Sequence, residues 1–490
     1  MKLETFMNIC LIGKILILLV VIIPVKSLCQ TSYTGELDFY YLSALNDNHL
    51  INLPYRIAEI HIQHQHENME IFGNLAMEYS PRRHTHYLSN SNPQDFLWDL
   101  RELYMAWYTD FGEVRVGKQI HTWGSVDENS PIDVVNAYDY YYLFFQGTDR
   151  KLGSYSAAID MYFGNWKMSG AISSFHHTNR VPINDPEFPI RLPVVPEEYQ
   201  IFPIEKNPME YGGFLEYSHD YGDIRLSLFN GYDRIFNLSG INVFFRNESQ
   251  TGSPNIDIVF GFRKTQMQGI GGTFLFGDLI LRGDYAFFQT KDQNTSITRN
   301  NPDPAFGEHF NYLAYEYPLI EQADYYQMTL QVEYGLPWDV TIVGQFFSYD
   351  TLNYQSGELP LDEDVDIPAL EISADEIDPR NFFSPGMGTP IAALMKKALT
   401  FSLEKTLLEE QLKIGFLSMM DIYDPLDPKK IKLLGKIVGI TIEYDLTQDL
   451  KLISGITQIT GNDNHPDGEH YRLNQMEDFS HLRFELKYSF

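Results

Sequence analysis

The last eleven residues, Ser480 to Phe490, limit the fold more than any other stretch. Leu482, Phe484, Leu486, Tyr488 and Phe490 fall at alternate positions, and Arg483, Glu485, Lys487 and Ser489 fall between them. A strand sends successive side chains to opposite faces, so this segment has one apolar face and one polar face. In a soluble protein the apolar face meets a core, as in the edge strand of a sandwich. Here the chain stops on an aromatic residue, and no later element can cover that face. The other solution is a strand whose apolar side meets lipid and whose polar side meets water.

Segments of the same kind recur from Gln30 onward. Candidate strands run over 31–43, 52–64, 69–80, 99–109, 113–121, 153–163, 165–175, 209–219 and 222–234. Others run over 266–276, 278–290, 322–335, 338–349, 391–406, 410–421, 432–446, 448–460 and 480–490. Met328, Leu330, Val332 and Tyr334 oppose Thr329, Gln331 and Glu333. Ile440, Ile442, Tyr444 and Leu446 oppose Thr441, Glu443 and Asp445, and Leu103, Met105 and Trp107 oppose Glu102, Tyr104 and Ala106. Helical periodicity is convincing nowhere past Gln30.

The connections test the idea independently. Counting back from Phe490, long connections (461–479, 350–390, 291–321) alternate with tight turns at Thr447, Leu336-Pro337 and Gly277. The phase holds to the turn at 65–68 if the short apolar pieces of 235–265 form a loop hairpin rather than spanning strands. The expected fold is all-β: a single transmembrane antiparallel up-and-down barrel of about 16–18 strands, with short periplasmic turns and long extracellular loops. A terminal strand ending in Phe resembles the closing-strand signal read by the outer-membrane assembly machinery of bacterial barrels, which that resemblance implies as a partner.

Composition agrees. Aromatics make up 14% of the chain, with 32 Tyr and 33 Phe, as girdles at two membrane interfaces require. Only 44% of residues are hydrophobic, which excludes a bundle of membrane helices. Lys2 and Lys14 precede the apolar run Ile15–Ile23, and Ser27-Leu28-Cys29 precedes Gln30, so residues 1–29 read as a secretory signal peptide and 30–490 as the barrel. Cys10 and Cys29 would both leave with that signal. The formal charge is −30, and residues 1–29 hold three Lys and one Glu, so the remainder carries −32. That balance argues against nucleic acid as a partner.

The least generic local sequence runs from Arg101 to Leu152. It holds Arg115-Val116-Gly117-Lys118-Gln119, then Trp123-Gly124, then Pro131-Ile132-Asp133-Val134-Val135-Asn136, then Arg150-Lys151-Leu152-Gly153. This order resembles a poorly characterised family of porin-like bacterial outer-membrane barrels, over about a quarter of the chain. The resemblance implies an outer-membrane barrel able to act as a channel. Asn136-Ala137-Tyr138-Asp139 stands where Asn-Pro-x-Asp would be expected, a departure that bears on the loop's shape.

Read from the residues, Arg115, Gly117 and Gln119 should face the lumen, and Gly117 admits a close backbone. The loop 122–151 is expected to fold inward and narrow the lumen, pinned by Arg115 and Arg150 to carboxylates. The candidate constriction residues are Arg115, Gln119, Trp123, Asp127, Asp133, Asn136, Asp139 and Arg150. A purely structural lock with no solute contact is the other reading of the same residues.

His61, His64 and His66, His84 and His86, and His176-His177 lack a completing ligand spacing, so no metal is expected. The Asp463–Glu469 stretch fails the calcium-loop template at His465, and the acidic run 361–378 reads as a solvated outer loop. No G-x-S-x-G, H-E-x-x-H or Gly-rich phosphate loop occurs, so neither an enzyme nor a cofactor is expected. The expected function is passive diffusion of small solutes across a bacterial outer membrane, with lipid and lipopolysaccharide as neighbours. The alternatives are a gated carrier of hydrophobic molecules, or a non-transporting barrel that holds surface polysaccharide or a partner.

Overall fold

The computed structural model describes residues 30–81, 96–143, 149–182, 185–190, 196, 200–201, 208–246, 248–249, 254–298, 312–359, 378–427 and 430–490. The leader expected over 1–29, His84 and His86, and nearly all of the acidic run 361–378 lie outside the described residues.

Strict alternation produces strands throughout. They are β1 (Gln30–Ala44), β2 (Tyr55–His66), β3 (Met69–Tyr79), β4 (Phe96–Thr109), β5 (Gly112–Gln119) and β6 (Ser154–Phe163). Then come β7 (Trp166–Ser173), β8 (Glu210–His219), β9 (Gly222–Tyr232), β10 (Lys264–Phe276), β11 (Leu279–Lys291) and β12 (Gln322–Leu336). The last are β13 (Val340–Gln355), β14 (Lys397–Leu407), β15 (Leu412–Tyr423), β16 (Ile431–Asp445), β17 (Leu450–Thr460) and β18 (His481–Ser489). These make one 18-stranded sheet in which each strand pairs antiparallel with the next. β1 pairs with β18 from Glu36↔Ser489 to Ala44↔His481, so the sheet closes. Gly35 and Phe490 exchange two further backbone hydrogen bonds of 2.9 Å, which extend the seam to the last residue.

Closure leaves no unpaired edge, the condition for strands to cross a hydrocarbon layer. The outer face carries what such a layer accepts. Leu330 is 48% exposed on it, while its neighbour Thr329, pointing inward, is 0% exposed. Leu482, Phe484, Leu486 and Tyr488 are likewise exposed, and Arg483 and Glu485 between them are buried. No helix of the described residues is long and apolar enough to cross a membrane.

Tight turns such as Asp110-Phe111, Gly164-Asn165 and Gly277-Asp278 lie at the end where Phe490 lies. The long connections lie at the other end, as the count back from Phe490 requires. The apolar pieces of 235–265 form a loop hairpin, Asn237–Phe245 with Asn255–Gly261. Tyr312–Pro318 adds a third strand to it. One expectation fails at its start. The strand placed over 391–406 begins only at Lys397, because Pro390–Ala393 form a single 3-10 turn. Pro390 has no N–H for a ladder, and Ile391, Leu394 and Met395 are buried among other loop residues.

The interior is not a plain water column. One apolar cluster joins inner-face residues of β1, β13, β16 and β17 to loop residues Tyr140–Tyr142, Phe188, Ile391, Leu394, Leu473 and Phe479 at the long-loop end. A second lies deeper, between residues 123–135 and the inner faces of β8 to β12.

Because lipid and lumen faces alternate, the two faces should tolerate charge unequally. Leu330→Arg, near the middle of β12 on the outer face, should cost about 2–4 kcal/mol. Thr441→Arg, on the inner face of β16, should cost far less. Reversible urea unfolding in lipid vesicles measures both.

Candidate pore-lining site

The chain leaves the wall at Gln119 and returns at Ser154, and what lies between does not stay above the barrel. The root of this loop is held by Asn136. Its Oδ1 accepts from the His121 N–H at 2.7 Å. Its Nδ2 donates to the carbonyls of Leu152 at 2.7 Å and Gln119 at 3.2 Å, so one side chain ties departure to return. Ala137-Tyr138 then pairs with Lys151-Leu152. Ala137 occupies the place where proline was expected, and it lies in this short ladder, facing Leu152.

Beyond the root the loop runs across the lumen. Trp123 is buried with its ring edge-on to Phe214 of β8 and Phe229 of β9, at centroid distances of 5.7 and 6.4 Å. Gly212 makes this possible, because a Cβ there would lie 3.0 Å from the indole and 2.5 Å from the Leu228 carbonyl oxygen. The Trp123 carbonyl accepts from Arg225, whose guanidinium also pairs with Glu216. Asp133 accepts from the Trp123 N–H at 3.2 Å and pairs with Lys151.

The tip docks farther round. The Ser125 N–H, the Val126 N–H and the Ser130 hydroxyl all donate to Oδ2 of Asp284 on β11, at 2.8, 3.1 and 2.7 Å. Gly271 of β10 leaves the room, since a Cβ there would collide with Asp284 and approach Ile132 to 2.9 Å. Asp127 pairs with Arg282 at 3.0 Å and accepts from Gln331 of β12 at 2.5 Å. Gln345 of β13 donates to the Glu128 carbonyl at 2.9 Å, and Asn129 donates to Gln345 at 3.0 Å. β13 lies eight strands on from β5 in a ring of 18, nearly across the barrel.

Of the eight candidate residues, Gln119 and Asn136 meet at the loop root, Trp123 and Asp133 meet beyond it, and Asp127 lies at the tip. Asp139 sits beside the root, where it accepts from the Tyr141 N–H at 3.1 Å and pairs with Arg180 at 3.0 Å. Arg150 pairs with Glu128 at 2.7 Å, as a pin between the loop's two limbs. Arg115 does not pin the loop. It bonds Asp160 of β6 at 3.1 Å and approaches Glu113 at 3.4 Å. The reason is register: Arg115 faces Ala158, so Asp160 is its diagonal neighbour on the same inner face. The Gln119 side chain also serves the wall, donating to the Ser156 carbonyl at 3.0 Å. Among the histidines, His61, His64 and His66 lie on β2.

Sequence reasoning missed the seat. Met267, Phe288 and Tyr325 point inward and are fully buried, with Phe214 and Phe229 nearly so. An apolar inner face is the signal that something covers it. It also missed a second inward segment within the stretch assigned to an outer loop over 350–390. The Met387 carbonyl accepts from Gln327 and from the Tyr325 hydroxyl, each at 3.1 Å. Thr389 then donates its hydroxyl to Asn129 at 3.2 Å, so the two inward segments touch. A cavity of about 290 Å³ lies beneath the loop, lined by Glu113, Arg115, His121, Trp123, Asp160 and Lys167, among others.

No family model matches the chain. No curated protein matches it either. Solved structures with a similar barrel include OccK1 (OpdK) of Pseudomonas aeruginosa, 8% identical with a TM-score of 0.47 over 94% of this chain and 98% of that one. OccAB2 of Acinetobacter baumannii is 9% identical with a TM-score of 0.43 over 94% and 98% of the two chains. An OmpF of Salmonella typhi in complex with daunomycin is 9% identical with a TM-score of 0.38 over 94% and 97%. The likeness extends to architecture alone. The closed pairing and apolar exterior by themselves make this an outer-membrane-type β-barrel.

Asp284→Ala should free the tip while sparing the barrel. It strands the donors of Ser125 and Val126 at about 1–3 kcal/mol each. Hydrogen exchange should show those two amides losing protection while amides of β16 keep theirs. Acid should loosen the root. Burial first, then Arg115 and Lys151 nearby, push His121 down from 6.5 to about 4. The docked loop therefore favours the neutral ring, and its stabilisation is full above pH 6.5 and lost as the pH falls toward 4. Proteolysis within the loop should rise over that interval, and His121→Gln should flatten the profile.

Proposed function

We propose that the protein is a passive outer-membrane channel for small hydrophilic solutes, narrowed by the inward loop. One observation carries this reading: the loop covers one side of the inner wall and leaves the other. On β14 to β17 the inner face offers Thr400, Ser402, Gly415, Gly439, Thr441 and Gly455, all only half-buried. Small and polar residues there leave space for water beside the loop, and polar walls with an inward constriction are the usual basis of pore selectivity. The apolar cluster at the long-loop end confines the path further and argues for a narrow pore.

The carrier of hydrophobic molecules is not favoured. It needs an empty apolar pocket, and the apolar wall beneath the inward loop is covered by Trp123, Ile132 and Val134. The reading also assigns β18 to recognition by the assembly machinery, and outer-leaflet lipopolysaccharide to the exterior at the long-loop end.

Planar-bilayer recordings test it. The protein should give steady unitary currents, and deleting residues 124–131 should raise their size about twofold or more by removing the narrowing. Currents of unchanged size would end the constriction role while leaving the channel. No current from the intact protein would end the channel.

A further inference from the structure

Cations on the inner wall are not matched one to one with anions. Arg282 of β11 lies between Asp127 of the loop tip at 3.0 Å and Glu333 of β12 at 2.7 Å. Lys451 of β17 lies between Glu443 at 3.2 Å and Asp445 at 3.8 Å, both on β16. Lys487 of β18 lies between Glu36 at 2.8 Å and Asp38 at 3.7 Å, both on β1. Each trio holds two carboxylates for one cation, an excess that is full at Arg282 and Lys451 and smaller at Lys487, where Asp38 is buried. Arg101 with Glu59 and Asp149, Arg180 with Glu78 and Asp139, and Arg263 with Asp233 and Glu321 repeat the two-to-one ratio farther toward the long-loop end, whereas some inner-face groups are balanced. Lys413 meets Glu404 at 2.5 Å, and Arg225 meets Glu216. The group of Glu113, Arg115, Asp160 and Lys167 is also neutral, two against two.

The trios at Arg282, Lys451 and Lys487 share a level. Lys451, Asp445, Lys487 and Glu36 lie within a few residues of the short-turn end, and Arg282 lies four residues past the turn at Asp278. The Lys451 and Lys487 trios adjoin, since Lys451 faces Lys487 across β17 and β18, and the Arg282 trio stands apart on β11 and β12, so the charges form one patch over β16, β17, β18 and β1 and a second site at the loop tip. In the Arg282 trio both carboxylates stand nearer the water, with Asp127 60% and Glu333 25% exposed against 19% for Arg282, whereas in the Lys487 trio Glu36 is 31% exposed and Asp38 is buried. A narrow aqueous path through a low-dielectric wall focuses the field of such charges on whatever passes.

From this arrangement we infer that the lumen selects small hydrophilic cations and disfavours anions, an inference that rests on the channel reading. These carboxylates raise cation concentration in the path and lower that of anions. Neutral solutes of the same size pass without regard to them. The selectivity is electrostatic, so it weakens as salt screens them.

The test uses the full-length processed protein in planar bilayers under a tenfold KCl gradient. The zero-current potential should have the sign for potassium flow. The permeability ratio of potassium to chloride should exceed about 3 near 0.1 M salt. It should fall toward one at 1 M, where the Debye length shortens from about 10 Å to about 3 Å. A combined Glu36→Gln, Glu333→Gln, Asp445→Asn variant removes one carboxylate per trio and leaves every cation a partner. Its ratio should fall to near one, while neutral-sugar uptake in liposome swelling stays unchanged. If the triple variant does not assemble, each single substitution should supply part of the shift. A native current without cation preference, or a variant ratio equal to the native one, overturns the inference and leaves the channel standing. Absence of native current removes the channel and the selectivity together.

Discussion

The hydrogen-bond seam between β1 and β18 is the contact on which the rest depends. Each backbone amide in a hydrocarbon layer needs a partner, because water is not there to supply one. Seventeen of the ring's pairings join strands consecutive along the chain, and the seam alone joins its two ends. Leu37 faces Tyr488, Phe39 faces Leu486 and Tyr41 faces Phe484, so the apolar exterior continues across it. Asp38, Lys487 and Glu36 continue the polar interior in the same way. Both faces therefore meet without a break, and the last residue, Phe490, completes the ladder against Gly35.

A closed ring creates a second problem, which is what to put inside it. Eighteen strands enclose more space than inward side chains can fill. Part of that space is taken by the segment between Gln119 and Ser154. Its docking is almost wholly polar at the tip, where Asp284 gathers three donors, and apolar along its flank, where Trp123 and Ile132 meet the wall. The combination fixes position as well as presence. Apolar contact alone would permit sliding, while three convergent hydrogen bonds on one carboxylate do not.

The barrel was legible because its information is local and periodic. Met328 to Tyr334, Ile440 to Leu446 and Leu482 to Phe490 each announce two faces within a few residues. The alternation of tight and long connections then orders them. Errors came where that code stops. Ile391, Leu394 and Met395 looked like strand residues because they are apolar, yet they serve a loop core built from five distant segments. Arg115 was assigned to the loop because it lies beside it in sequence, whereas cross-strand register hands it to Asp160. Asn136, read from its place in a motif, proved to be the clasp of the loop root.

The amino-acid order by itself determined the transmembrane ring, its hand of inside and outside, and the end at which the long loops lie. A period of two decides these matters residue by residue, and a slip of one would turn every side chain the wrong way. Only the tertiary structure decided where the inward loop rests, which carboxylates share a cation, and which part of the inner wall stays open. Those depend on strands brought together by closure across separations of more than a hundred residues, such as Asp127 with Arg282 and Glu36 with Lys487. No local pattern encodes such a meeting, because it exists only once the ring is shut.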